Sequence, residues 1–121
     1  MPDPAKLLEL AARCEAAEKG SFDLDQEILA ALGYTWRGMA YWFCDDSHVW
    51  PHQATLTRSL DAAMTLVPEG YQCSVGNYPI AWWAHVGPHN ADSNETAYTG
   101  ETPALALTAA SLRALAAKEG E

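Results

Sequence analysis

The apolar positions of this chain change their spacing several times. Leu7, Ala11 and Cys14, with Leu8 and Ala12 beside them and Glu18 one turn on, follow the three-to-four-residue period of an amphipathic helix. Asp3 before Pro4 supplies its start, an N-cap followed by proline at the first helical position, and Gly20 supplies its end. Asp23-Leu24-Asp25-Gln26 has the arrangement of a capping box. Ile28, Leu29 and Leu32 then carry a second helix up to Gly33, a suitable C′ glycine. The short link between the two predicts a helical hairpin over residues 3–33.

From Tyr34 the period is lost. YTWRGMAYWFCDDSHVWP is dense in aromatics, poor in helix formers and punctuated by Gly38 and Asp45-Asp46. Met39 to Cys44 has the composition of a short strand, and the rest of residues 34–56 reads as a long covering or functional loop. A third helix starts at the Ser59 cap, with Asp61 in its first turn, Leu60, Ala63, Met64 and Val67 on its apolar face, and Pro68-Glu69-Gly70 at its end. Strands follow at Tyr71 to Val75 and Pro79 to Val86, with Gly76-Asn77 as the two-residue turn between them. After the polar run GPHNADSNET, Thr96 to Thr99 is placed for a short third strand. Thr102-Pro103 opens the last helix, whose inner face is Leu105, Ala109, Leu112 and Ala116. This order predicts the α+β class: an α-β-α layered sandwich with a small antiparallel sheet of two to four strands and about four helices. A single domain over residues 1–121 is expected, made of the hairpin 3–33, an aromatic loop 34–56 and a helix-hairpin-helix unit 57–119.

SLDAAMTLVPEGY (residues 59–71) and TPALALTAASLRALAA (residues 102–117) resemble helices of the phage ABA sandwich domain family, small proteins of phages and prophages. LLELAARCEAAEKGSFDLDQEILAALGY is similar to that family's N-terminal half. The resemblance implies an α-β-α layered fold and a phage or prophage origin. It implies no activity, and no functional residue transfers with it, because both motifs consist of helix caps and packing residues. The aromatic stretch and the histidine-containing phrases lie outside the matching motifs.

Composition then narrows the function. With 49% apolar residues a packed core is expected, not disorder. Seven Lys+Arg against 16 Asp+Glu give a net charge of −9, a balance that repels phosphate backbones and anionic membranes. It suits a solvated surface, a basic protein partner, or mimicry of a polyanion. Cys14, Cys44 and Cys73 are odd in number and form no CxxC, which reads as free thiols in a reducing compartment. MPDPAKLLEL lacks the basic stretch and long apolar run of a signal peptide, and no segment approaches the ~20 apolar residues of a membrane span. A cytoplasmic protein of a bacterial host is the expectation, with association to a virion left open.

Two matched phrases, HVWPH and HVGPH, hold all four histidines: His48, His52, His85 and His89. Histidines at i and i+4 stack on a helix face and can share a metal. Here Pro51 and Pro88 bias the residue before each of them away from helix. In an extended chain such a pair stands roughly 13 Å apart, too far for one metal. Polar histidines at strand ends are the plainer reading. A metal-dependent hydrolase on these four, with Cys44, Asp45 and Asp46 completing a sphere, is the outlying one. Cys44 near His48 and the adjacent Asp45-Asp46 have no motif fixing a catalytic geometry, so neither catalysis nor a cofactor is expected.

The aromatics point elsewhere. Trp36, Tyr41, Trp42, Phe43 and Trp50 crowd fifteen residues, and Trp82-Trp83 are adjacent on a strand where period two sends them to opposite faces. A tryptophan patch on an acidic surface has the make-up of a protein-binding hot spot. The expected mechanism is occlusion of a protein partner, with Trp36, Trp42 and Trp50 as anchors and Asp45 and Asp46 setting orientation. Inhibition of a host defence or nucleic-acid-binding protein by acidic mimicry is the alternative, and a homo-oligomer is open.

Overall fold

The computed structural model describes residues 3–37, 41–44, 47–50, 53–78, 81–88 and 97–119. Helix α1 (Pro4–Ala16) starts as expected, with Asp3 Oδ1 accepting from the Ala5 amide at 3.0 Å and Pro4 at its first turn. Its buried stripe is Leu7, Leu10, Ala11 and Cys14. The helix stops before Gly20, whose role lies elsewhere. A Cβ at Gly20 would stand 1.9 Å from the Thr57 carbonyl oxygen, so only glycine permits this close approach.

Helix α2 (Phe22–Ala31) is capped by Ser21, whose Oγ accepts from the Leu24 amide at 3.1 Å, two residues ahead of the expected Asp23 cap. The earlier start turns Asp25 inward, where it is 1% exposed, instead of leaving it in a solvated capping box. Gly33, at φ +98°, ends the helix in the left-handed region as its position predicted.

Within residues 34–49 the strand expected at Met39 to Cys44 is present as Tyr41–Cys44, but the segments beside it are not the long loop expected. Together they form an antiparallel meander of β1 (Thr35–Arg37), β2 (Tyr41–Cys44) and β3 (Ser47–Val49). Trp36 stands opposite Trp42, and Trp42 opposite Val49, so these three share one face of the sheet. That face is turned to the protein: Trp42 and Val49 pack against the main core. The aromatic density that reads as loop-like is the make-up of short half-buried strands.

Helix α3 (Leu60–Met64) keeps its Ser59 cap but presents a different face. Ala62 and Ala63 are buried, whereas Leu60 and Met64 are 39% and 47% exposed. A helix this short is positioned by its cap and flanking turns, and has too few residues for its own periodicity to choose a face.

Strands β4 (Tyr71–Tyr78) and β5 (Ala81–Pro88) pair antiparallel over their whole length, and β5 also pairs with β6 (Tyr98–Gly100). Tyr78 pairs with Ala81, which moves the connection to residues 79 and 80, outside the described residues. Gly76 and Asn77 are therefore strand residues, and the expected Gly-Asn turn is corrected. Gly76 faces Trp83, and a Cβ there would come within 2.3 Å of the indole ring. The glycine serves packing across the ladder.

Helix α4 (Pro103–Glu119) begins behind Thr102, whose hydroxyl accepts from the Leu105 amide at 3.1 Å. Its predicted inner face, Leu105, Ala109, Leu112 and Ala116, joins the α1 and α2 side chains in the main core. The opposite side, Ala106, Leu107 and Ala110, forms a second cluster against Val75, Trp82, Ala84 and Tyr98 of the β4–β6 sheet. The α+β class and, among the described residues, four helices are thus as expected, while the single small antiparallel sheet expected is joined by a second of three strands. The layers run from the β4–β6 sheet through α4 to α1 and α2, which is why α4 is buried from Ala104 to Leu112 without a break. Glu15 on α1 and Arg113 on α4 bind bidentately at 2.6 and 3.1 Å, and the same guanidinium lies 4.6 Å over the Tyr98 ring of β6.

Candidate functional site

Helix α2 and the first two strands build an aromatic cleft. The Ser21 cap places Phe22 in the first turn, and Asp25, Gln26 and Leu29 follow it on the same helix face at i+3, i+4 and i+7. Opposite them stands the cross-strand pair Trp36 and Trp42, ring centroids 5.5 Å apart and planes tilted by 60°. Such tilted pairs contribute roughly 0.5–1.5 kcal/mol beyond their burial. Ala54 and Arg58 complete a space of about 210 Å³. The gradient of exposure is steep: Leu29 is 2% exposed at the base, Trp36 is 44% and Phe22 60% exposed at the rim.

A buried polar knot fixes one wall. The Asp25 carboxylate accepts from the Thr57 amide at 2.7 Å, the Thr57 hydroxyl at 2.5 Å and Arg58 Nε at 2.9 Å. Thr57 also accepts from the Ser21 amide at 3.0 Å, so the α2 start and the turn at 57–58 are pinned together. Arg58 keeps 43% of its side chain exposed and brings a positive charge to the cleft, whereas Asp25 is covered. The cleft therefore offers apolar and aromatic surface with the Arg58–Asp25 ion pair beside it, its guanidinium on the exposed side. Its described lining holds no nucleophile with an adjacent base. It can take an aliphatic or aromatic side chain, and Arg58 can meet a carboxylate or a ring face.

Of the anchors expected from sequence, Trp36 and Trp42 meet in this cleft. Trp50 is 45% exposed but follows β3 outside the lining, its amide donating to Gln53 Oε1 at 3.1 Å. Asp45 and Asp46 lie outside the described residues. So do His52 and His89, while His48 is placed by its backbone in β3 and His85 lies in β5 of the other sheet. Among the described residues no three His, Cys, Asp or Glu side chains converge as metal ligands. Phe22, Gln26 and Arg58 are cleft residues that sequence reasoning missed. A phenylalanine just past a serine cap, off the Leu24–Ile28 stripe, is a local signal for Phe22; nothing local links Arg58 to Asp25, 33 positions away.

A second, larger groove of about 960 Å³ opens between the meander and the α3 segment. Leu56, Leu66 and Leu115 line it together with Tyr34 and Cys44, and burial pushes the Tyr34 hydroxyl above its ordinary pKa. None of its described walls carries an exposed tryptophan or phenylalanine, which the smaller cleft has. No described helix is long and apolar enough to cross a membrane. In comparisons with known proteins, no family model, no curated protein and no solved structure matches this chain.

Proposed function

We propose that this chain is a small phage or prophage accessory protein that acts by binding another protein, with the Phe22–Trp36–Trp42 cleft as the contact. Phe22 and Trp36, large and exposed, flank a pocket the size of one bulky side chain, and this observation carries the proposal. Solvated aromatics beside a concave apolar site are what an interface hot spot needs: area to desolvate and a pocket to fill. Trp42 holds Trp36 in place from below, and Arg58 selects for a carboxylate or ring on the incoming side chain. A partner seated here covers its own surface, so occlusion suffices for an effect and no chemical step is required. The phage or prophage setting is supported by the likeness of residues 59–71 and 102–117 to the phage ABA sandwich helices.

The test is capture from bacterial lysate by wild type and by a Phe22→Ala/Trp36→Ala variant, read by quantitative peptide mass spectrometry. Phe22 is mostly solvated and Trp36 is 44% exposed at the rim, and an unchanged circular dichroism spectrum is the check that the variant keeps its fold. A partner enriched by wild type and lost with the variant supports the proposal. Equal enrichment of every protein by both chains removes the cleft as the contact.

A further inference from the structure

Among the described residues strand β4 is the outer strand of its sheet, in the order β4-β5-β6, and presents eight residues of edge. The other edge strands among the described residues, β1, β3 and β6, have three residues each, short enough to be poor templates. Long edges are ordinarily blunted by a lysine, a proline, a bulge or an inward charge. YQCSVGNY contains no proline and no lysine, arginine, aspartate or glutamate, and pairs with β5 residue for residue from Tyr71↔Pro88 to Tyr78↔Ala81, without a bulge.

Apolar surface adjoins the same edge. Met64 Sδ lies 3.8 Å from Cys73 Sγ of β4 and is 47% exposed; Leu60, one helical turn earlier, is 39% exposed. Neither belongs to the core that holds α3, which uses Ala62 and Ala63. An extended edge with a thioether and a leucine beside it is a surface that a further strand would complete.

We propose that the occupant is a second copy of this chain, pairing β4 to β4 antiparallel and joining two three-stranded sheets into one. Charge selects this occupant. A two-fold contact sets a patch against itself, so any net charge on it is doubled at close range. In a chain of net −9, β4 carries no charge of its own and the one ion found against it among the described residues, the Lys118 ammonium 5.8 Å over the Tyr71 ring, is a cation, so self-contact there avoids that penalty. The side-chain pattern agrees. Cys73 and Val75 face the α4 layer, while Gln72 and Ser74 are exposed on the other face. Antiparallel pairing on a two-fold axis through Ser74 sets Cys73 opposite Val75 of the second copy, so both apolar faces stay on the helical side. Met64 and Leu60 of both copies then flank the joint.

Light scattering after size exclusion, over a concentration series, tests this. Wild type is expected to approach twice 13.1 kDa as concentration rises, and more readily in high salt, which screens the acidic surfaces. Gln72→Lys/Ser74→Lys places like charges across the axis on side chains that are already solvated. It should weaken dimerisation at least tenfold with an unchanged circular dichroism spectrum. Should that variant misfold, concentration-dependent protection of wild-type β4 amides in hydrogen exchange decides instead. Wild type that stays monomeric throughout overturns the proposal. So does a dimer that ignores the two lysines but is lost with Trp36→Ala, and so does β4 exchange independent of concentration.

Discussion

Single residues in this protein are set by what they touch, and three make the point. Cys14 is fully buried on α1 between the helices, and burial, with Glu15 as a lesser cause, pushes its thiol from 9.0 up to about 12. The fold thus favours the neutral thiol. Its stabilising effect is fully present below pH 9 and is lost as pH rises toward 12, because the unfolded chain ionises first. Denaturant midpoints should fall across that window, and fall less in Cys14→Ala. At pH 8 a thiol reagent should label Cys14 only as fast as the protein opens. Ser111 on α4 is the opposite case. Its hydroxyl is buried and, among the described residues, has no hydrogen-bond partner. Ser111→Ala removes an unpaired polar group and improves helix propensity, so it should stabilise by about 1 kcal/mol, read as a rise in Tm. Asp25 shows what sequence hides. A buried carboxylate needs its donors, but Thr57 and Arg58 come from a turn more than thirty positions away. Gly20 read only as the end of α1, so the close approach of Thr57 to it was not legible either.

Elements were legible where local chemistry fixes them. Asp3-Pro4, Ser59, Gly33 and Thr102 all do what their residue types predict, because a cap or a left-handed φ is decided within four residues, whereas α3 ends at Met64, short of the Pro68-Glu69-Gly70 stop expected for it. Faces and turns were less legible. The α2 start shifted to Ser21 because two adjacent stretches both satisfy a cap and tertiary contact with Thr57 decides between them. Gly76-Asn77 has the composition of a hairpin turn, yet a longer ladder wins by pairing eight residues on each strand. The position then tests itself. Gly76→Ala drives a methyl to within 2.3 Å of the Trp83 ring, so the indole must move. A loss of roughly 1–3 kcal/mol is expected, with an altered tryptophan emission maximum. Unchanged emission and stability would mean that Trp83 does not lie over the glycine. In the meander of residues 35–49 only the middle strand was legible, and β1 and β3 were the largest miss. Three strands of three or four residues carry too few alternations for period two to stand out from an aromatic cluster.

For the whole molecule, one helix organises the rest. α4 is shared by the α1–α2 core and by the β4–β6 sheet, and its alanines let both layers approach it closely. This leaves the meander as an attached cover whose inner face reaches the core through Trp42 and Val49 while Trp36 stays at the rim. The candidate contact therefore rests on a fixed base and ends in the half-exposed Trp36 and the mostly exposed Phe22, where truncation removes contact surface at the rim and leaves the core in place. The class of fold was readable from the alternation of helical and strand patterns. The cleft was only half readable, since Trp36 and Trp42 stood out as residues while their meeting with Phe22 and Arg58 depended on tertiary structure. The most direct measurement is the affinity of a captured partner for wild type and for Trp36→Ala, with both thermal transitions recorded. The account predicts a loss of about 2 kcal/mol or more in binding, roughly thirtyfold in Kd, by a variant that still unfolds in one cooperative transition well above the assay temperature. Equal affinities for the two proteins would contradict it.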